Sequence, residues 1–254
     1  MKPFVVTELE KDWPTTLTRW FLRSAEMTHA QSLPYTFPKL FPEKWLDKEY
    51  PEPAIAVRIA IDHHIPSILP TVFYCLSNIE VTDDWDRYHK GTDFKYGDQA
   101  AHDFNMNPIF EHRRTARWPL LDREALYLVL LGRAELNRRQ RDFVGLSASD
   151  NCRGGECSKN LQKLRVSYRQ SYSGSESHLG PLESLMQLQQ DAENAQGICN
   201  MCTSHLTGSI EAEVKDIWTE LPQIFGLHTI PGLGESSLRS LHIASDMARE
   251  TSLG

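Results

Sequence analysis

The chain has 254 residues, 40% of them hydrophobic and 24% charged, with a net charge of −7. That is enough apolar material for one large domain or two small ones with a sizeable core. The acidic balance argues against binding to a phosphate backbone, which needs a basic surface, so nucleic acid is not an expected partner.

No apolar run approaches the roughly 20 residues of a membrane-spanning helix. The opening "MKPFVVTELEKDW" lacks the apolar core of a signal peptide. The expected location is therefore intracellular, cytoplasm or nucleus. In that reducing setting, thiols stay reduced or bind metal more readily than they form disulfides.

Helical periodicity recurs along the chain, alternating β-branched stretches are scarce, and no internal repeat is visible. The first helix is expected in "WPTTLTRWFLRSAEMTHAQ", with Pro14 and Thr15 or Thr16 at its start and Leu17, Trp20, Phe21 and Ser24 on one face. "LPYTFPKLFPEKW", carrying Pro34, Pro38 and Pro42, reads as an extended connector. A helix pair follows. Ala54 to about His63 is ended by Pro66, and a second helix is capped by Ser67 with Pro70 in its first turn. Ile68, Leu69, Val72, Phe73, Leu76 and Ile79 form its apolar stripe. Cys75, beside that stripe, reads as a small buried hydrophobe.

Residues 82–116 are polar and turn-rich and are expected to form a long surface loop. Asp122 then caps a helix whose apolar positions include Leu126, Val129, Leu130, Leu136 and Phe143. Gly132 within it marks either close packing or a kink. The "NRRQRD" cluster at 137–142 suits a solvated last turn, where the helix dipole favours cations. Residues 158–179 read as a polar stretch with a serine-rich middle. Leu182, Leu185, Met186 and Gln189 are in helical register. Leu206, Ile210, Val214, Ile217 and Leu221 mark the last clear helix, which Pro222 ends, and the tail after it reads as loose.

The sharpest chemical signal is cysteine spacing. Cys152 and Cys157 form a C-x4-C pair, and Cys199 and Cys202 form a C-x2-C pair, out of five cysteines in all. A C-x2-C pair can point both sulfurs at one ion across a tight turn, and Gly197 permits an unusual backbone angle just before it. Gly154 and Gly155 let the other loop fold back. If the intervening residues return the chain, the four thiols make a closed, all-cysteine zinc site, structural because no ligand position stays open. His205 is a spare candidate ligand and His178 a weaker one. Thiols without metal, or a redox pair, are the competing readings, although no thioredoxin-like βαβ pattern surrounds the cysteines.

Other motifs are weaker. Asp62, His63 and His64 are adjacent at a helix end and do not converge. "TDDWD" at 82–86 lacks the glycine and distal glutamate of a calcium loop. The glycines of "IPGLGESS" follow no strand, and no nucleophile elbow, phosphate loop or zinc-protease motif occurs. The aromatic pairs Trp13 with Trp20 and Trp118 with Tyr127 read as core contacts, with an exposed partner-binding patch as the sharper alternative.

Four blocks, "LEKDWPTTLTRW", "EPAIAVRIAIDHHIPSILPTVFYCLS", "ARWPLLDREALYLVLLGRAEL" and "GICNMCTSHLTGSIEAEVKDIWTELPQIFGL", resemble fungal BTB/POZ-domain-containing proteins of basidiomycetes. They look like the region C-terminal to the POZ fold, in the family's order, from about residue 7 to 227. Paired cysteines at these places look familiar for that family. The POZ fold itself, which mediates dimerisation and adaptor contacts, would precede residue 1 and is expected to be largely missing.

The expected fold is mainly α with few or no strands: an irregular helical domain over 1–145, a smaller cysteine-bearing helical unit over 146–230, and a loose tail over 231–254. The resemblance implies an adaptor-type protein that binds protein partners, and self-association is a further expectation. The lack of catalytic motifs makes the expected protein non-enzymatic, and the cysteine spacing makes one structural zinc the one candidate cofactor. The alternatives are a zinc-containing regulatory or nucleic-acid-binding module, or a truncated family member without function.

Overall fold

A computed structural model of the chain describes residues 2–32, 51–84, 114–143, 152, 155–173 and 180–230. Among the described residues lie eight α-helices: α1 (Lys2–Asp12), α2 (Leu17–Ser32), α3 (Pro53–Asp62), α4 (Leu69–Ser77), α5 (Arg123–Asp142), α6 (Gly155–Ser173), α7 (Pro181–Asn194) and α8 (Asn200–Ile224). The fold is mainly α, as the periodicity predicts. The one strand-like pairing among these residues is an isolated parallel bridge between Asp84 and Ala116. The proline-rich connector, most of the 82–116 loop, the serine-rich 174–179 and the 231–254 tail lie outside the described residues.

Two compact units result: Met1–Gly132 with Leu221–Gly254, and Arg133–Glu220. Both divisions fall inside helices, α5 and α8, whereas the boundaries expected from the sequence lie at 145 and 230.

The first unit is built on α4. Every residue from Leu69 to Ser77 except Pro70 is buried, and Ile68, Leu69, Val72, Phe73, Leu76 and Ile79 form the core face that the periodicity predicts. Removing that much apolar surface from water is the main term favouring this packing. Ser67 does not cap α4. It lies in a 3₁₀ turn, Pro66–Ile68, that runs straight into the helix, so no side-chain cap forms. Trp20 of α2 meets Tyr74 edge-on, with ring centroids 5.4 Å apart, and Phe73 meets Phe225 at 5.7 Å.

Glu52 organises the entry to α3. Its carboxylate accepts the amides of Ala54 and Ile55, two donors a helix start leaves without partners, and that of Arg117 at 2.8 Å. At the other end, the Ile65 amide reaches the Ala60 carbonyl while His64 adopts a left-handed φ of 54°. This is the turn that closes helices when a residue past the end can reverse hand. Asp62 pairs with Arg58 on the same helix, so the Asp62-His63-His64 run serves helix termination.

Asp122 caps α5 as expected, accepting from the Ala125 amide at 2.7 Å. The buried face of that helix in this unit is Ala125, Leu128, Val129 and Gly132. Leu130 is exposed, contrary to expectation, and so is Tyr127, at 59%. Trp118 is buried as expected. Gly132 is a close-packing site: a β-carbon there would run into the Phe225 ring. Pro222 does not end α8, which continues to Ile224 and delivers Phe225 to the core.

The second unit takes its core from four helical segments. Cys157, Leu161 and Tyr168 lie on α6, and Leu182, Leu185, Leu188 and Ala192 on α7. Cys202, Leu206, Ile210, Val214 and Ile217 lie on α8, with Leu136 on α5. The polar stretch at 158–179 therefore proves largely helical. The buried residues described on α6, Cys157, Leu161 and Tyr168, recur at spacings of four and seven, one narrow stripe on a mostly solvated helix.

Candidate metal centre

The four cysteines singled out by spacing converge in the second unit. The sulfurs of Cys152, Cys157, Cys199 and Cys202 all lie within 4.8 Å of one another, and no disulfide joins them. This is the one group of three or more metal-capable side chains found among the described residues.

Two helix starts bring the thiols together. Cys152 precedes α6, and Cys157 is the third residue of that helix. Cys199 directly precedes α8 and caps it: its carbonyl accepts the Thr203 amide, and its sulfur accepts the amide of Cys202, the third residue of α8. Both buried thiols thus sit in a first helical turn, where the dipole favours negative charge. Gly155 opens α6 rather than lying in a loop folded back over the site.

The turn before Cys199 is held by Asn160 of α6. Gly197 adopts φ +79°, as its position suggests, and a β-carbon there would collide with the Asn160 amide nitrogen. That amide donates to the carbonyls of Gln196 and Gly197, at 3.4 and 3.2 Å. Asn160, on the solvated side of α6, gave no sequence signal, because an asparagine in a polar helix is ordinary. Its role depends on the return of residue 197.

Inside the cluster, the Cys199 amide donates to Cys157 Sγ at 3.2 Å, and the Cys199 and Cys152 sulfurs are 3.9 Å apart. The Cys202 amide, and then the neighbouring thiols, lower Cys199 to about 7 against burial. For Cys157, the Cys199 amide acts to lower the thiol. Hydrogen bonding to Cys152, lost solvation and the Cys199 thiol together outweigh it, and Cys157 sits above its ordinary value.

No protein-family model, curated protein or solved structure matches the chain. Chemistry alone must then say what the cluster fits. Four thiolates around zinc, each at about 2.3 Å, place their sulfurs about 3.8 Å apart. The Cys152–Cys199 separation of 3.9 Å is already that distance, and backbone amides aimed at sulfur are the outer contacts that steady such ligands.

The remaining candidates do not join the site. His205 is exposed on α8 and is not part of the group; His178 lies outside the described residues. Cys75 is buried in the first unit, with the Arg114 guanidinium at its sulfur. Asp83 is buried, and its carbonyl accepts the Ala116 amide, so this end of the acidic run ties two segments together. Asp86 and the glycines at 232 and 234 lie outside the described residues.

Proposed function

We propose that Cys152, Cys157, Cys199 and Cys202 hold one structural zinc ion and that the chain is a non-enzymatic, adaptor-type scaffold for protein partners. The observation that carries the metal reading is the convergence of four sulfurs within 4.8 Å at two helix starts. Burial alone accounts for Cys157 and Cys202, but gathering the accessible Cys152 and Cys199 beside them without a metal or a disulfide returns little for the chain that must be ordered. A set of four protein ligands leaves no open position for substrate or activated water, which makes the ion a cross-link.

The interaction half of the proposal is supported by the BTB-protein resemblance and by the outer face of α5. Tyr127, Leu130 and Leu131 expose 59%, 42% and 46% of their surface there. A tyrosine beside two leucines offers a partner large apolar area with a polar rim from Arg123 and Glu124. The net charge of −7 disfavours the regulatory nucleic-acid reading, since counterion release on a phosphate backbone needs cations.

Elemental analysis of protein purified without added zinc tests the first half. One zinc ion per chain is expected, lost in Cys199→Ser, Cys202→Ser. A full complement retained by that variant would place the metal elsewhere. For the second half, Leu130→Glu with Tyr127→Glu should leave the fold intact, because both side chains are exposed, and should abolish partner labelling in cells. Unchanged labelling would remove this face from the proposal.

A further inference from the structure

The four thiols are not equally reachable. Cys199 is exposed and Cys152 half-buried, while Cys157 and Cys202 are buried, at 6% and 0%. The two accessible sulfurs are also the pair 3.9 Å apart, and they come from different segments of the chain. A solute therefore meets the cluster along one edge, made of Cys199 and Cys152, with the two inner sulfurs shielded behind it. We propose that this edge is an oxidation site, at which a hydroperoxide links Cys152 to Cys199 and expels the zinc. The inference rests on the structural-zinc reading given above.

The Cys199 thiolate attacks one peroxide oxygen; the O–O bond breaks, giving a sulfenic acid and a hydroxide (an alkoxide from an organic hydroperoxide) that a buffer acid protonates. The Cys152 thiolate attacks the Cys199 sulfur; the S–O bond breaks, and a second hydroxide leaves and is protonated. The two sulfurs have together lost two electrons and the peroxide has gained two. The ion is left with two thiolates and departs to solvent, because affinity depends on the number and charge of its ligands. Reduction of the disulfide by a dithiol restores both ligands.

Closing this bond across segments, rather than within C-x2-C, has a structural consequence. It ties the chain ahead of α6 to the start of α8, so the neighbourhood of the two helix starts persists while the ion is gone. The Cys157 sulfur keeps its contact with the Cys199 amide, and the Asn160 clasp on residues 196 and 197 is untouched. The result is a site that loses metal without scattering its ligands, ready to reload.

The test uses the full chain as purified, with its zinc counted first. Stoichiometric hydrogen peroxide is added, released zinc is read with a chromogenic chelator, and disulfides are mapped by non-reducing peptide mass spectrometry. The expected result is a Cys152–Cys199 peptide as the main product, zinc release in step with it, and recovery of bound zinc after dithiothreitol and zinc are added back. Zinc present at the outset but retained while peroxide is consumed overturns this inference and leaves the structural-zinc reading standing. A main product of Cys199–Cys202 or Cys152–Cys157 also overturns it, because the exposed edge would then not direct the chemistry. Protein with no zinc before oxidation overturns both.

Discussion

Both units are built from helices among the described residues, and they differ in what holds them. In Met1–Gly132 with Leu221–Gly254, the core is continuous and aromatic: Trp13, Trp20, Phe73, Tyr74 and Phe225 are all buried around α4. In Arg133–Glu220, the buried residues described on α6 are Cys157, Leu161 and Tyr168, and the four thiols gather at the start of that helix and of α8. A helix with so narrow an apolar stripe gains little from burial alone. The contrast teaches that the first unit is closed by buried area, while the second brings four thiols together at two helix starts, where the proposed zinc would act as a cross-link.

The largest expected effect breaks that contrast directly. Structural zinc contributes about 10–16 kcal/mol of apparent binding energy in small zinc peptides, more than the whole stability of many domains. A strong chelator should therefore open the second unit first. Hydrogen exchange should rise at the amides of 155–161 and 197–206 while those of α4 keep their protection. Equal exchange in both units, or none in either, would show that the thiols do not close the second unit.

Next in size is the aromatic contact of the first unit. Phe225 is fully buried against Phe73 and lies where a β-carbon on Gly132 would collide with it. Phe225→Ala should cost about 3–5 kcal/mol, read as a fall in the denaturation midpoint at unchanged zinc content. A loss of zinc along with stability would mean the ring supports the metal unit as well.

How far the sequence reveals this arrangement differs between the units for the same reason. The stripe on α4 is legible because six apolar residues in helical register have no other plausible use, and that helix is buried nearly all round. α6 is hidden because Cys157, Leu161 and Tyr168 are diluted by charged and polar neighbours. α1 is hidden for a related reason: Phe4 and Val5 are exposed, so it carries no clear apolar stripe. The four thiols are legible from spacing, and Gly197 from its place before the pair. Asn160 is not, since its partners are brought to it only by the fold. Leu130 and Tyr127 mislead because a long amphipathic helix has more large apolar residues than its buried face can use. Glu52 escapes notice because glutamate is not among the usual capping residues.

A smaller change sharpens the first unit rather than breaking it. His64 holds φ at 54°, a hand that disfavours any residue with a β-carbon by about 1–2 kcal/mol. Glycine has no such penalty, though it gives the unfolded chain more freedom. His64→Gly should raise the stability of the first unit by about 1 kcal/mol, seen as a higher midpoint with no change in metal. A lower midpoint would show that the imidazole makes a contact worth more than the backbone strain.

The smallest effect is electrostatic and belongs to the second unit. Glu135 sits between Arg138 and Arg139 on α5, with Arg139 also reaching Glu220. The hydrogen bond from Arg138 leads in lowering the Glu135 carboxyl to about 2 from 4.5, helped by Arg139 and opposed by partial burial. A folded-state value below the unfolded one means the charged form is favoured by folding. The contribution is complete above about pH 4.5, where both states are ionised, and it falls away between 4.5 and 2 as the unfolded state takes up its proton first. Because these groups are partly in water, salt screens them and the magnitude stays small. Glu135→Gln should therefore lower stability slightly at pH 6 and low salt, with the difference from the parent shrinking as pH drops toward 2 and as salt is added. A difference that holds constant across that range would assign Glu135 a packing role instead of a charge one. In that case the second unit would rest on its thiols and its packing alone.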